Sequence, residues 1–374
     1  MTRPVVVGYE ELRGRRNYAT ARNCYAPVPG VQHRRVPRIP VDALARHGGV
    51  SDGIFLPARP SAVDGMHLWN KVSLGRSPYG VSFESVLPRV LRARPDSRQM
   101  TRLRNVLMDD RCRFLAPCSQ WAQDLFLSSL DDRARSVLEP KTAVLQPYQA
   151  VDPLAGPVPV PAGDAPLELL FIGGEFFRKG GEALLALMAS LGDELDLRLT
   201  VVSRCDANDY ATPWVTAAQV ARARQRLAED PRITWCTSLP NEDVVELARR
   251  CHVGLLPTMA ETYGYSLLEV MASGRPVIGT TAQAGDEIVA DEWGWRLELE
   301  RRPDGLWKGR SGTDFAYELG VLSLAAQLGE VMESIRDDPM SVARKGAAAQ
   351  ERVRTHYQDD RTQGMAGLYD RFVS

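Results

Sequence analysis

Two carboxylates sit eight positions apart in MAETYGYSLLEVMASGRPVIGT (259–280): Glu261 ahead of Gly264, and Glu269 five residues beyond it. The apolar spacing from Tyr265 to Met271 predicts a helix that starts at Gly264 and stops at Gly274-Arg275-Pro276. The free N–H groups of the helix entry, Thr262 to Ser266, can hold phosphate oxygens. Glu269 lies a turn further in, where a carboxylate does not suit phosphate. It suits hydroxyl hydrogens, two of which a ribose presents together. Glu261, outside the helix, is placed to meet hydroxyls of a different ring. A plainer alternative is that Glu269 answers Arg275 and Glu261 only favours the positive end of the helix.

A second constellation lies upstream in LLFIGGEFFRKGGEALL (169–185). A strand ends at Ile172, Gly173-Gly174 turns the chain, and Arg178-Lys179-Gly180-Gly181 opens a helix. Glycines let backbone N–H groups approach a ligand, and the two full charges of Arg178 and Lys179 suit a diphosphate. Neither G-x-x-x-x-G-K-[ST] nor G-x-G-x-x-G occurs here. The competing view is an ordinary strand-to-helix turn with a solvated basic pair.

The elements that must position these residues alternate regularly after residue 166. Apolar strands are expected at 167–173, 196–203, 232–236, 252–258 and 276–280. Helices are expected at 180–192, 214–229, 241–250 and 265–273. That alternation implies a parallel sheet covered on both faces, which gathers ligands at the carboxyl ends of its strands. Residues 298–320 read as an inserted loop and 321–372 as two or three terminal helices. The first half is less regular, with strands expected at 4–9, 53–57, 78–85, 111–119 and 141–147, and helices near 86–108 and 120–137. The segment 147–166, PYQAVDPLAGPVPVPAGDAP, carries six prolines and is the best boundary between two α/β domains.

The chain has 374 residues, 44% hydrophobic and 25% charged, as expected of a two-domain globular protein. Six cysteines and five histidines show no C-x-x-C pair and no metal spacing. Reduced thiols in a cytoplasmic protein are the expectation, since neither a secretory leader nor an apolar run of about 18 residues is evident. The net charge of −1 conceals an asymmetry. Residues 1–150 hold 23 Lys and Arg against 13 Asp and Glu, whereas 151–374 hold 23 against 34. A basic first half can attract an anionic membrane leaflet or a phosphate-bearing acceptor, and scattered, solvated arginines are the alternative. Nothing points to nucleic acid.

The order P-T-x-x-E-T-x-G-x-x-x-x-E-x-M-A-x-G-x-P-V-I over 256–280 resembles the donor-binding signature of the family 4 retaining glycosyltransferases (GT4) of the GT-B fold. With the upstream K-G-G segment, the resemblance covers about 167–295. It implies an α/β protein of two Rossmann-like domains with parallel sheets facing across a cleft. An acceptor domain would span 1–155 and a nucleotide-sugar domain 156–354, with a last helix at 355–374 packing back on the first. By the same resemblance, Lys179 corresponds to the phosphate-binding lysine and Glu261 to the glutamate that contacts the donor sugar. Gly264, Tyr265 and Ser266 correspond to the helix start that holds donor phosphates, and Glu269 to the ribose-binding glutamate. The family usually has an arginine where this chain has Gly174, and Arg178 is the nearby candidate to replace its charge.

The first domain departs further from the family pattern. Gly8 is followed by Tyr9-Glu10-Glu11-Leu12 in place of a glycine-rich loop, and Glu84 stands where a histidine commonly ends a central strand. For Glu84 the alternatives are a buried ion pair or a solvated strand end. His67, beside Trp69, fits a packed, hydrogen-bonded role better than a catalytic one, and Trp121 and Phe126 fit the core. The implied activity is retaining transfer of a sugar from a nucleoside diphosphate to a hydroxyl of a glycan, glycolipid or small molecule. No cofactor or metal is expected, since Arg178, Lys179 and the helix start supply the charge. A cytoplasmic protein, peripheral at the inner membrane face, fits an acceptor in surface polysaccharide or glycolipid synthesis. The competing functions are a non-catalytic nucleotide-sugar or glycan-binding GT-B protein and a GT-B epimerase.

Overall fold

The computed structural model describes residues 3–10, 24–39, 53–59, 62–89, 97–161, 165–191, 196–207, 212–311 and 314–374. The chain forms two compact units, 1–148 with 356–374, and 149–355. The change of unit at Tyr148 falls inside the proline-rich segment 147–166.

Unit one holds a five-stranded parallel sheet in the order β2-β1-β4-β6-β7. Its strands are β1 (Val5–Glu10), β2 (Val31–Val36), β4 (Gly65–Trp69), β6 (Tyr79–Phe83) and β7 (Cys112–Pro117). A two-stranded parallel pair, β3 (Ile54–Phe55) with β5 (Val72–Ser73), stands apart. Two strands escape a hydropathy reading. Four of the six residues of β2, VQHRRV, are polar, and GMHLW of β4 carries His67 at its centre. The segment 141–147 is not a strand. Ala143 and Leu145 donate to the carbonyls of Leu115 and Pro117, but the pairing is confined to one bridge between prolines 140 and 147. The single helix expected over 120–137 is two, α2 (Gln120–Ser128) and α3 (Asp132–Leu138), after α1 (Arg98–Met108). Asp131 causes the break by accepting from the Ala134 N–H and starting a new helix. Residues 90–96 of the expected first helix and Glu11-Leu12 after β1 lie outside the described residues.

Unit two holds a six-stranded parallel sheet in the order β10-β9-β8-β11-β12-β13. The strands are β8 (Leu167–Ile172), β9 (Leu197–Val202), β10 (Ile233–Cys236), β11 (Val253–Leu256), β12 (Val277–Thr280) and β13 (Gly294–Leu297). The central strands are buried on both faces, every residue of β11 and β12 being buried, whereas β10 and β13 at the edges are partly exposed. The helices are α4 (Gly181–Ser190), α5 (Ala217–Glu229), α6 (Asn241–Arg250), α7 (Tyr265–Ala272), the short α8 (Gly285–Ile288), α9 (Asp314–Asp337) and α10 (Met340–Arg352). The apolar α4 packs against α9. Asp152 ties the proline-rich segment to this unit by accepting from Arg249 Nε (2.6 Å) and Nη2 (2.9 Å) and from Ser273 (3.4 Å).

The chain runs outward from β8 through β9 to β10, then returns to β11 and runs the other way. Doubly wound sheets take their ligands in the crevice at such a reversal, here beyond the carboxyl ends of β8 and β11. A π-helical turn, Val353–Asp359, spans the return to unit one, and α11 (Asp360–Asp370) follows. Met365, Leu368, Tyr369 and Phe372 complete a core with Val7, Phe114 and Ala116 of the unit-one sheet.

Candidate donor site

The Gly173-to-Gly181 turn leaves β8 and starts α4, and the Thr258-to-Gly264 loop leaves β11 and starts α7. They are pinned to each other through main chain. Met259 N–H donates to the Arg178 carbonyl (2.9 Å), and the Thr258 hydroxyl bonds the Arg178 and Ala260 carbonyls. Gly180 is needed at this junction. Its φ is +81°, and any side chain would collide with the Pro257 carbonyl.

This pinning brings the charged residues of the two motifs together. Lys179 Nζ lies 3.1 Å from Glu261 Oε2, and Arg178 Nη1 lies 3.8 Å from the same oxygen. Burial alone would push the Glu261 carboxyl up. The Lys179 ammonium and then the Arg178 guanidinium outweigh it and hold the group below its usual range, so it is ionised and accepts hydrogen bonds only.

Arg178 is held by contacts within unit two. It is 8% exposed and gives its donors to the protein: Nη1 to the Ala260 carbonyl and Nη2 to Glu175 at 2.9 Å. It clamps the two turns from below. Glu175 was missed in the sequence, although its i,i+3 spacing to Arg178 was the available sign. Among the described residues, a Cβ built at Gly174 meets only the Arg204 guanidinium, at 3.8 Å.

Gly264 precedes α7 with no side chain capping it, so Gly264, Tyr265 and Ser266 form an uncapped helix start beside Glu261. Glu269 sits half-buried one turn above Tyr265 on α7. It does not answer Arg275, whose donors go to the carbonyls of Cys251, Gly156, Ser273 and Arg249.

In unit one, Glu84 follows β6, 7% exposed, and pairs with Arg89. Asn70 Nδ2 donates to the same carboxylate oxygen at 3.3 Å, and the Glu84 N–H donates to Asn70 Oδ1. The ion-paired reading of Glu84 is therefore the one the structure displays. His67 is fully buried; its ring bonds the hydroxyls of Tyr369 (2.9 Å) and Ser82 (2.8 Å). Burial, then Arg361, holds its pKa well down, so it packs as a neutral ring. Phe126 belongs to the core and Trp121 is half-buried on α2.

Comparison with known proteins shows what this arrangement is similar to. Residues 166–307 match the family described as glycosyl transferases group 1, which covers both turns of the site and the resemblance drawn from 256–280. Among solved structures, a glycosyltransferase from Rickettsia africae superposes with a TM-score of 0.64 at 12% identity, covering 100% of both chains. Anabaena HepE, in complex with UDP and glucose, gives 0.61 at 10% identity over 98% of this chain and 99% of its own. These likenesses establish the GT-B fold. The D-inositol 3-phosphate glycosyltransferase of Corynebacterium kroppenstedtii is 24% identical over 191 residues. That match spans 46% of this chain and 41% of the relative.

Proposed function

We propose that this protein is a retaining glycosyltransferase of the GT4 kind, moving a sugar from a nucleoside diphosphate to an acceptor hydroxyl. One observation carries the reading. Lys179 and Glu261, a diphosphate-binding cation and a hydroxyl-binding carboxylate, meet at 3.1 Å above the β8–β11 switch point, beside the uncapped start of α7. Lys179 takes a diphosphate oxygen, the N–H groups of Gly264, Tyr265 and Ser266 hold the others, and Glu269 accepts the ribose hydroxyls. Glu261 accepts from the donor sugar.

The chemistry needs stabilisation of the charge that develops on the leaving diphosphate. In this reading cationic side chains of the protein and the amides of the helix start supply it, without a metal or cofactor. Retention follows if the acceptor attacks the face the diphosphate leaves and a phosphate oxygen takes its proton, with no enzyme nucleophile. UDP, held by the HepE neighbour, is the first nucleotide to try. The basic balance of residues 1–150 favours an acceptor of unit one that is carried on an anionic membrane, in surface polysaccharide or glycolipid synthesis.

Thermal-shift binding of UDP-, GDP-, ADP- and dTDP-sugars tests the donor assignment, followed by donor turnover in the presence of EDTA. Binding is expected for one nucleotide class, with turnover unaffected by chelation. Lys179→Ala and Glu269→Ala, while folded, are expected to reduce turnover at least about 100-fold and tenfold, respectively, in line with loss of charge-assisted contacts. Near-normal rates in both would remove the assignment.

A further inference from the structure

Resting on the donor reading above, we infer that Arg204, at the carboxyl end of β9, supplies the positive charge that holds the donor diphosphate with Lys179. The pinned turns are electrically balanced on their own. Arg178 and Lys179 carry two positive charges, and Glu175 and Glu261 within 4 Å of them carry two negative ones. A dianionic diphosphate entering that set meets no excess positive charge, and Arg178 is turned to the Ala260 carbonyl and Glu175. A further cation must reach the crevice from outside the two motifs.

Arg204 has the position and the freedom for this. Its backbone is fixed. The Ser203 hydroxyl bonds the Gly174 carbonyl (3.5 Å) and the Cys205 N–H, Trp235 Nε1 donates to the Ser203 carbonyl (2.8 Å), and Arg224 donates to the Arg204 and Cys205 carbonyls. Cys205 completes the turn with a φ of +51°. The guanidinium, by contrast, is free to move. Its side chain is 64% exposed and its Nε lies 3.4 Å from Asp206, a surface pair of the kind that contributes little. One nitrogen already overhangs Gly174, 3.8 Å from where a Cβ would stand. Glycine there leaves the room that a diphosphate, or the swinging guanidinium, requires. Exchanging Asp206 for two phosphate oxygens replaces a single loose contact with the bidentate geometry guanidinium favours.

The test compares a nucleoside diphosphate with its own nucleoside by calorimetry, using whichever of UDP, GDP, ADP or dTDP binds the wild-type protein. Arg204→Gln is expected to weaken the diphosphate about tenfold and leave the nucleoside unchanged. Arg204→Lys should recover part of the loss, and Asp206→Asn should tighten the diphosphate severalfold, most visibly at low salt. Unchanged diphosphate binding in Arg204→Gln overturns the inference while the donor reading stands. Equal weakening of diphosphate and nucleoside also overturns it, because the effect then lies in the base site or the fold. Failure of all four diphosphates to bind wild-type protein defeats the donor reading, and the inference with it.

Discussion

Gly180 shows how much of the site depends on one backbone angle. A left-handed residue costs an alanine about 1–2 kcal/mol, and here the added methyl also meets the Pro257 carbonyl. Gly180→Ala is therefore expected to lower the melting temperature by several degrees and to abolish donor binding, because the Lys179 turn moves away from Glu261. Gly174→Ala, with open space above it, should leave the melting temperature within about a degree; differential scanning fluorimetry separates the two. The chemistry-bearing residues of unit two were visible in the sequence because glycine, lysine and glutamate stood at fixed spacing around strand ends. What spacing could not reveal was direction. Arg178 and Lys179 are neighbours in the chain, yet one turns into the protein and the other toward Glu261. Glu84 was ambiguous for the same reason, since its partners come from two separate turns, Asn70 after β4 and Arg89 after β6.

At the scale of elements, α11 belongs to unit one although it comes last in the chain. Its Tyr369 hydroxyl bonds buried His67 of β4, and Arg361 donates to the carbonyls of Cys24 and Gln146. His67 is neutral when folded, its pKa held down by burial and then by Arg361 and His33. The unfolded chain takes up a proton near the ordinary histidine value while the folded chain does not. The contribution of His67 is complete above about pH 6.5 and is lost as the pH falls below it, by at most about 1.4 kcal/mol per pH unit. Denaturant unfolding between pH 7.5 and 5.5 should show this slope, and His67→Gln should reduce it, leaving the smaller share of His33 and His252, whose pKa values burial also lowers. An unchanged slope would contradict the assignment. The apolar strands β8, β11 and β12 could be read directly from composition, because burial on both faces leaves little room for polar residues. Strands β2 and β13 could not: both lie at sheet edges, β2 with four polar residues of six and β13 only four residues long with Arg296 exposed. The α2–α3 break turned on one Asp131 cap inside a continuous helical pattern.

Across the whole chain, charge is segregated: the first 150 residues are basic and the remainder acidic. If the acceptor is membrane-borne, the protein should sediment with vesicles rich in phosphatidylglycerol at low salt. It should be released near 0.3 M salt, where the screening length falls to roughly 6 Å. Vesicles of neutral lipid should not hold it, and indifference to vesicle charge would favour a small soluble acceptor. The donor claim is independent of that result and more directly accessible. A crystal structure with the bound nucleoside diphosphate should place the phosphates against Lys179 and the N–H groups of Gly264 to Ser266, with the ribose at Glu269. A nucleotide seated away from the β8–β11 crevice, or Glu269 turned away from the ribose, would contradict the account.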